Sequence, residues 1–386
     1  MSRKDKGKKA IYLINTFLYL AHFHDRLLRL NSISLVQFKN YLHRSFAFHS
    51  RIVGISGRNG VGKTNLLDAI YYLCFTKSYF SRSDATNVQN GSQGFRIEGN
   101  MDRQDKPYDI VCILRETGRK EFLLNGEPYE KFAHHVGRFP CVFIAPDDVR
   151  IITEGSEERR RFVDAILSQL DAEYLQRLIN YNKLVQQRNS YLKSLADTRT
   201  TDTGLLDVYD SQLVTDGNYI FERRKVFLLD CIRSVKDFYR KISDSEESVE
   251  ITYDSQLLRA PFADWLRMQR DRDMALQRTT AGVHKDDLQM MLNGQPFRNI
   301  ASQGQRKSLL FALKLAEFTL LKENKGFAPL LLLDDIFEKL DEHRMHNLLD
   351  WVCVRNEGQI FLTDTHGSRI ADHFEKLEVP YQLIQL

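Results

Sequence analysis

The feature that most constrains this chain is a glycine-rich loop at residues 57–64, between a short apolar run and a periodic segment. The apolar run 52–55 predicts a strand, and the spacing of apolar residues over 65–74 predicts a helix. The loop matches the pattern G-x-x-x-x-G-K-[ST], in which backbone N–H groups and the positive end of a helix dipole converge on phosphate oxygens. This order predicts a nucleoside triphosphate site in an α/β fold. The loop residues are Gly57, Arg58, Asn59, Gly60, Val61, Gly62, Lys63 and Thr64.

Two side chains of this loop and two carboxylates farther along the chain predict how the triphosphate is bound. Lys63 is expected to reach the β- and γ-phosphates, and the Thr64 hydroxyl to complete a Mg²⁺ shell. The apolar strand 330–333 ends in Asp334 and Asp335, and a buried strand that delivers a carboxylate beside the phosphate loop is how such sites hold Mg²⁺. We expect Asp334 to bind the metal, directly or through water, and Asp335 to orient or deprotonate the attacking water.

An acidic pair could also merely end a strand, but the phosphate loop elsewhere in the chain favours the metal site. The predicted cofactors are therefore ATP and Mg²⁺. Thr64 and Asp334 are the candidate metal ligands, and Lys63 and Asp335 are the candidate catalytic residues.

A second candidate for phosphate binding lies at the start of the predicted amphipathic helix 304–322, where the chain reads Ser302, Gln303, Gly304, Gln305. A serine beside a helix N-terminus can bind a phosphate group. The loop at 57–64 is already expected to bind the phosphates of the nucleotide on its own chain. A second phosphate-binding site therefore has a use if it closes over nucleotide held by a partner chain. The pattern therefore predicts an ATP-sandwiched homodimer in which Ser302, Gly304 and Gln305 act across the interface.

Length and composition restrict the remaining classes of protein. A chain of 386 residues exceeds the usual size of a single core, so two domains or a large insertion are expected. The net charge of +4 permits a nucleic-acid partner without requiring one. Five scattered cysteines without a C-x-x-C pair argue against disulfides and a zinc site, and favour the reducing cytoplasm.

The N-terminus superficially resembles a signal peptide, because basic residues precede the apolar run 10–21. Asn15 and Thr16 interrupt that run, no clear small-residue cleavage site follows, and the run is too short to span a membrane. We therefore expect a cytoplasmic protein without a membrane partner.

The order of predicted elements places a helical insertion inside a nucleotide-binding head. Strands at 33–48 lead into the phosphate loop, segments 108–114 and 121–124 suggest an antiparallel side sheet, and 156–170 is helical. Two long helices folded back on each other follow, with seams interrupted by Arg188 and Asp216; a plain helical bundle is the alternative. Their apolar residues recur every seven positions, at Leu178, Val185 and Leu192 and then at Leu206, Leu213, Ile220 and Phe227.

The predicted fold class is α/β: a P-loop ABC-type ATPase head with an antiparallel β side sheet and an inserted, mainly helical arm domain. Residues 32–150 and 279–386 form the head (lobe I), and residues 151–278 form the arm (lobe II). Residues 1–31 are an N-terminal extension of unknown role.

Short motifs occur in one order, at matching spacings, from about residue 32 to residue 386. They are 37–41, 57–70, 146–148 with 159–164, 282–288, 302–305, and 333–335 with 340–341. In this order they resemble the RecF family of bacterial DNA repair ATPases, which is related to the SMC-like and ABC-type ATPases. Residues 1–31 have no counterpart in the family pattern.

The resemblance implies an ATP-dependent DNA-binding protein of recombinational gap repair, needed for DNA replication and for normal SOS induction. It implies binding of single-stranded, gapped or junction DNA, dimerisation on ATP, weak DNA-dependent ATPase activity, and RecR- or RecO-type mediator partners. The arm would then form the second lobe of a DNA clamp. ABC-type ATPases usually have Glu after the metal-binding Asp, and the shorter Asp335 agrees with slow turnover.

Several other residues are weaker candidates. Basic clusters at 159–161, 223–225 and 267–272 could contact DNA or could be solvated helix faces. His284 and Lys285 could bind a ligand or form buried hydrogen bonds. Lys39 and Asn40 are candidates for approaching the nucleotide, and His366 for sensing the γ-phosphate.

Three other functions share parts of this pattern. A structural SMC-like chromosome organiser, the main alternative, would need a long coiled coil and an apical joint, and the predicted arm is short and has no C-x-x-C for a zinc joint. The energising subunit of a membrane transporter would not need the segments at 146–164 and 282–288. A small-molecule kinase would have no use for Ser302 to Gln305.

Overall fold

The computed structural model describes residues 27–198, 204–243, 247, 249–336 and 342–386. The apolar run at 10–21 and both residues of the motif at 340–341 lie outside the described residues.

Fourteen strands within these ranges form three sheets. The strands are β1 (Leu28–Phe38), β2 (Tyr41–Ala47), β3 (Ile52–Ser56), β4 (Phe95–Arg103), β5 (Lys106–Leu114), β6 (Lys120–Leu124), β7 (Glu127–Pro128), β8 (Cys141–Ile144), β9 (Val249–Asp254), β10 (Asp287–Leu292), β11 (Gln295–Pro296), β12 (Leu330–Leu333), β13 (Ile360–Asp364) and β14 (Tyr381–Gln385).

Helices connect and cover these sheets. They are α1 (Lys63–Phe75), α2 (Arg150–Thr153), α3 (Ser156–Leu170), α4 (Ala172–Thr198), α5 (Gly204–Ser243), α6 (Phe262–Met268), α7 (Arg270–Leu276), α8 (Phe297–Ile300), α9 (Gln303–Lys325), α10 (Glu342–Leu349) and α11 (Gly367–Lys376). In the described parts of the chain, none of them combines the length and the apolar composition that crossing a bilayer requires.

The central sheet is parallel, with the strand order β14-β3-β13-β12-β8. Its inner strands are continuous apolar runs because helices cover both faces of a parallel sheet. All five strands run in one direction, so their carboxyl ends meet at one edge. That edge carries the loop after β3, the acidic pair after β12 and the end of β13.

The predicted antiparallel side sheet is present, with the order β2-β1-β4-β5-β6-β7. Helix α1 lies between this sheet and the parallel sheet, and its buried Leu66, Leu67 and Ile70 join both in one apolar core. The strand β1 already begins at Leu28, whereas the sequence placed the head from residue 32. Leu28 and Leu30 pair with β4 and are buried, so they belong to the core of the head.

The two long helices predicted from the seven-residue repeat are α4 and α5, which pack against each other. The polar residues that interrupt their seams form ion pairs. Arg188 is fully buried and contacts Asp210 and Asp273 at 2.7 Å each, and Asp216 accepts a hydrogen bond from Arg177 at 2.9 Å. Each charge is thereby neutralised where an apolar side chain would otherwise continue the seam.

The arm and the head share a sheet and a core. Strand β9, from the predicted arm, pairs with β10, from the predicted head, and α5 packs along α9. The boundary predicted between residues 278 and 279 therefore separates two paired strands. Local periodicity gave no sign of this pairing, since it joins segments that α6 and α7 separate.

Candidate nucleotide-binding site

The loop at 57–64 connects β3 to α1, as its motif predicts. Gly62 has a φ of 113°, and a Cβ there would lie 2.6 Å from Asn40 Nδ2 and 2.8 Å from Tyr41 Oη. Those neighbours fix the loop, because Asn40 Nδ2 donates to the Val61 carbonyl at 2.8 Å and Tyr41 Oη donates to the Gly62 carbonyl at 2.9 Å. Only glycine fits this close approach in this conformation. Asn40 thus supports the loop from behind its backbone.

Lys63 is the first residue of α1, and its ammonium lies against the loop backbone. Its Nζ donates to the carbonyl oxygens of Gly57 at 2.7 Å and Arg58 at 3.1 Å. The cation is therefore held at the loop whose N–H groups are suited to phosphate oxygens. Lys39, the other basic candidate near this loop, forms an ion pair with the buried Asp68 of α1 at 2.5 Å.

The loop and the acidic pair meet at Thr64 and Asp334. Thr64 Oγ1 donates to both carboxylate oxygens of Asp334, at 3.0 Å and 2.9 Å, and Thr363 Oγ1 donates to Asp334 Oδ1 at 2.8 Å. Burial is the largest cause that raises the pKa of Asp334; the two hydroxyl hydrogen bonds oppose it. A buried carboxylate in this position is stabilised in its ionised form by a bound cation.

The donor atoms fit Mg²⁺. This ion prefers hard oxygen ligands and usually binds through one or two carboxylates together with phosphate oxygens and water. The Thr64 hydroxyl and the Asp334 carboxylate are oxygen donors already within hydrogen-bond distance of each other. Within the described ranges, no group of three or more His, Cys, Asp and Glu side chains is placed to hold a metal ion. Mg²⁺ at this site would therefore need phosphate oxygens and water as further ligands.

Asp335 follows in an unusual backbone conformation, with φ at 50°. Its N–H donates to Thr363 Oγ1 at 2.9 Å, so one hydroxyl contacts both members of the acidic pair. The sequence did not indicate this role for Thr363. The available signal was its place at the carboxyl end of β13, the strand beside β12. His366, the candidate γ-phosphate sensor, precedes α11, and its N–H donates to Asp364 Oδ1 at 2.7 Å.

Ser302 caps α9 through a reciprocal pair of hydrogen bonds. Gln305 N donates to Ser302 Oγ at 3.2 Å, and Ser302 N donates to Gln305 Oε1 at 2.7 Å. Gln305 Nε2 also donates to Glu247 at 2.8 Å. Ser302 is exposed. The chain thus brings Lys63, Thr64 and the acidic pair together, while Ser302 and Gln305 form a separate, solvent-facing helix start.

Comparison with known sequences agrees with this geometry. Residues 29–382 match the family described as the RecF/RecN/SMC N terminal domain. A DNA replication and repair protein RecF from Flavobacterium johnsoniae is 41% identical, over 93% of this chain and 100% of its own length. The chain belongs to the RecF family. A second RecF, from Cytophaga hutchinsonii, is 38% identical over 90% of this chain and 92% of its own.

Solved structures confirm the predicted fold of this RecF-family chain. The recombination mediator protein RecF with ATP superposes with a TM-score of 0.82 at 29% identity, over 89% of this chain and 93% of its own. An Smc head domain from Pyrococcus furiosus has a TM-score of 0.53 at 16% identity, over 90% and 92% of the two chains, and so shares the fold alone. The architecture is an ABC-type ATPase head with a side sheet and a helical arm.

The basic clusters of this RecF-family protein are largely used inside the fold. Buried Arg159 pairs with Asp287 at 2.6 Å, and buried Arg224 pairs with Asp164 and Asp286 at 2.8 and 2.9 Å. The pairs with Asp286 and Asp287 connect the arm helices to β10 and its leading turn, and the pair with Asp164 joins two arm helices, so these arginines give little support to DNA contacts. More exposed members also have acidic partners: Arg161 with Glu157 and Glu158, Arg223 with Asp171, Lys225 with Glu222, Arg267 with Asp264, and Arg270 with Asp207 and Asp210.

His284 forms buried hydrogen bonds, one of its two predicted roles. Its Nδ1 lies 2.8 Å from Tyr181 Oη and its Nε2 lies 3.2 Å from the Thr279 carbonyl oxygen. Burial lowers the pKa of His284 to about 4. A neutral ring at physiological pH suits a packing role between the arm and β10.

Proposed function

We propose that this protein is an ATP-dependent DNA-binding protein of recombinational gap repair, acting in DNA replication and repair and in normal SOS induction. One observation carries the nucleotide part: Thr64 of the phosphate loop and Asp334 of β12 meet at hydrogen-bond distance, which is the arrangement that a Mg²⁺–ATP site needs. Support for the DNA part comes from the 41% identity to a protein named DNA replication and repair protein RecF.

ATP is bound by residues 57–64, with the Lys63 ammonium on its β- and γ-phosphates. Thr64 Oγ1 and the Asp334 carboxylate would hold Mg²⁺, which would offset charge on the phosphate oxygens when bound. Asp335 orients the attacking water and accepts its proton. Its side chain is one methylene shorter than the Glu usual at this position in ABC-type ATPases, which agrees with weak ATPase activity that serves mainly as a switch.

A second copy of the chain completes the site. Ser302, Gly304 and Gln305 lie at the solvent-facing start of α9, where backbone N–H groups can bind the γ-phosphate of nucleotide held by the partner. ATP therefore joins two heads, and hydrolysis releases them.

The arms of the dimer then enclose single-stranded, gapped or junction DNA. RecR- and RecO-type mediators are the expected partners, since a solved relative is described as a mediator of the RecFOR pathway. A protein that acts on chromosomal DNA is expected in the bacterial cytoplasm, and the five buried cysteines with free thiols agree with a reducing compartment.

A structural SMC-like organiser has weaker support. Smc heads share the fold at 15–16% identity, far below the identity to RecF sequences. The helices of the arm span 27 and 40 residues, which is short for a chromosome-spanning coiled coil.

Multi-angle light scattering at micromolar protein tests the proposal. We expect a monomer without nucleotide and a dimer with ATP, Mg²⁺ and gapped DNA. A monomer under the second condition would contradict the clamp. ADP in place of ATP is the control, because it lacks the γ-phosphate that joins the two copies.

A further inference from the structure

The arm carries an open groove of about 590 Å³ between its two long helices. Helix α4 contributes one face of polar side chains at helical spacing, and α5 contributes Tyr209. The α4 residues are Lys183, Gln186, Gln187, Ser190, Tyr191 and Ser194. Among the residues that the structure describes, no acidic side chain lines this groove, which has no part in the nucleotide site.

The sequence of α4 explains this chemistry. Between Glu173 and Asp197 the chain has no acidic residue for 23 positions, although the 51 Asp and Glu of the whole sequence would place about three there. The stretch is rich in amides and hydroxyls and contains four basic residues. A solvated helix face normally mixes both signs of charge, so the missing carboxylates mark a surface suited to a polyanion.

Two of the four basic residues are neutralised within the fold. Arg188 is buried against Asp210 and Asp273, and Arg177 pairs with Glu173 and Asp216. Lys183 and Lys193 are the exposed ones. With the amides of Gln186 and Gln187 and the Ser190 hydroxyl, Lys183 supplies the side-chain types that commonly hydrogen-bond to phosphate and sugar.

Two aromatic rings distinguish this groove from a merely cationic surface. Tyr191 of α4 and Tyr209 of α5 are half-buried, with ring centroids 6.2 Å apart and planes inclined by 52°. Rings anchored at their base and open to a groove can stack with unpaired bases, whatever the sequence. An acidic peptide would use the lysine and the amides but would leave the rings unused.

We propose that this groove is a contact surface for single-stranded DNA. Phosphates lie along Lys183, Gln187 and Ser190, and bases stack on Tyr191 and Tyr209. The inference rests on the proposed DNA-binding function. It adds where on the protein DNA binds and that the DNA bound there is single-stranded. We therefore expect contacts with the arm to contribute part of the protein's affinity for single-stranded DNA.

Fluorescence anisotropy with a labelled single-stranded oligonucleotide, in the presence of ATP and Mg²⁺, tests the surface. The double variant Lys183→Glu with Gln187→Glu should weaken binding about fivefold or more and flatten the salt dependence by about one unit of log–log slope. The matched control is Lys236→Glu with Gln93→Glu, which makes the same charge changes at exposed positions on α5 and before β4. Equal losses in both double variants would overturn the proposal.

A second arm of the experiment tests stacking. An oligonucleotide with abasic sites should bind the wild-type protein several-fold more weakly than the intact strand, and Tyr209→Ala should reduce that difference. An unchanged difference in the variant would overturn the role of the rings. Equal affinity of the wild type for poly-glutamate of matched charge would overturn the nucleic-acid assignment. If the wild type binds no DNA at all, the proposed function itself fails.

Discussion

Thr64 Oγ1 donates to both carboxylate oxygens of Asp334, although 270 positions separate the two residues. The contact closes the parallel sheet around the candidate nucleotide site, because β3 leads into the loop of Thr64 and β12 ends at Asp334, with β13 between them. Segments from both ends of the chain are therefore needed for one candidate metal site, and the arm is inserted between them.

Asp334→Asn should separate the contribution of Mg²⁺ to ATP affinity from any effect of the substitution on folding. The amide keeps the size of the carboxylate but loses its charge, so we expect affinity for ATP in Mg²⁺ to fall about tenfold or more while affinity in EDTA changes little. Isothermal titration in the two buffers measures this. Thr363→Val is the control, since it removes a hydrogen bond to Asp334 and leaves the carboxylate in place. If Asp334→Asn lowered ATP affinity tenfold in EDTA as well, the result would contradict a metal role for Asp334.

Lys63→Ala and Ser302→Arg should fail at different steps. Lys63→Ala lowers nucleotide affinity, because the phosphate charge loses its cation. Ser302→Arg should bind ATP normally and not associate, since the bulky cation blocks the start of α9 at the proposed interface. Nucleotide binding and light scattering on the same samples distinguish them.

The control for the interface is Gln93→Arg, which introduces the same side chain at another exposed position. It should associate like the wild type. Equal loss of ATP binding in Lys63→Ala and Ser302→Arg would contradict the role of Ser302 across the dimer.

Asp335→Asn should slow ATP hydrolysis by about a hundredfold or more while ATP-dependent association persists. Asparagine tolerates the positive φ at this position, so the backbone contact with Thr363 is kept. Single-turnover hydrolysis and light scattering provide the two measurements. Unchanged hydrolysis would remove Asp335 from the chemistry.

Local sequence patterns predicted those parts of the molecule that short segments determine. The helix expected at 156–170 has these bounds in the structure, and the dipeptide Asn293-Gly294, whose sequence favours a hairpin turn, connects β10 to β11 with positive φ at both residues. The spacing of apolar residues along one helix and the geometry of a turn act over a few residues, so they are visible in the sequence.

Local sequence patterns did not predict which strands pair when they are far apart along the chain. Nothing near Thr363 indicates that β13 lies between β3 and β12, and this order alone brings its hydroxyl to Asp334 and Asp335. The same holds for β9 and β10, whose pairing crosses the predicted domain boundary. Periodicity indicates which face of a strand is buried. It does not indicate which strand lies beside it, because that depends on the whole fold.

Arg188 should contribute strongly to the stability of the arm. Arg188→Met removes the guanidinium that Asp210 and Asp273 share, although Asp210 keeps its pair with Arg270, and breaking a buried pair in this way costs about 3–5 kcal/mol. Arg233→Met removes an exposed pair with Asp230 and should cost less than about 1 kcal/mol. Urea unfolding followed by circular dichroism compares the two. Equal losses would mean that the buried network stabilises no more than a surface pair.

Two buried histidines should make the protein less stable in mild acid. Burial lowers the pKa of both His135 and His284 from 6.5 to about 4. Unfolding restores the ordinary pKa, so the unfolded chain binds more protons between these values, and the free energy of unfolding falls as the pH drops through this window. From about pH 6.5 to about pH 5 the loss is roughly 1.5 kcal/mol per histidine. Glu317, with its pKa raised by burial to about 7, acts in the opposite direction in the wild type and in the histidine variants alike, so the pH dependence of each variant is compared with that of the wild type.

Urea unfolding at the two pH values should therefore show a smaller pH dependence in His284→Gln and in His135→Gln than in the wild type. The glutamine variants are less stable overall, since His135 contacts the Leu73 carbonyl at 2.7 Å and His284 contacts Tyr181 Oη at 2.8 Å. The measured quantity is thus the difference between the two pH values within each variant. His43→Gln, at an exposed position on β2, should keep the wild-type difference. An undiminished difference in both buried variants would show that other groups cause the acid sensitivity.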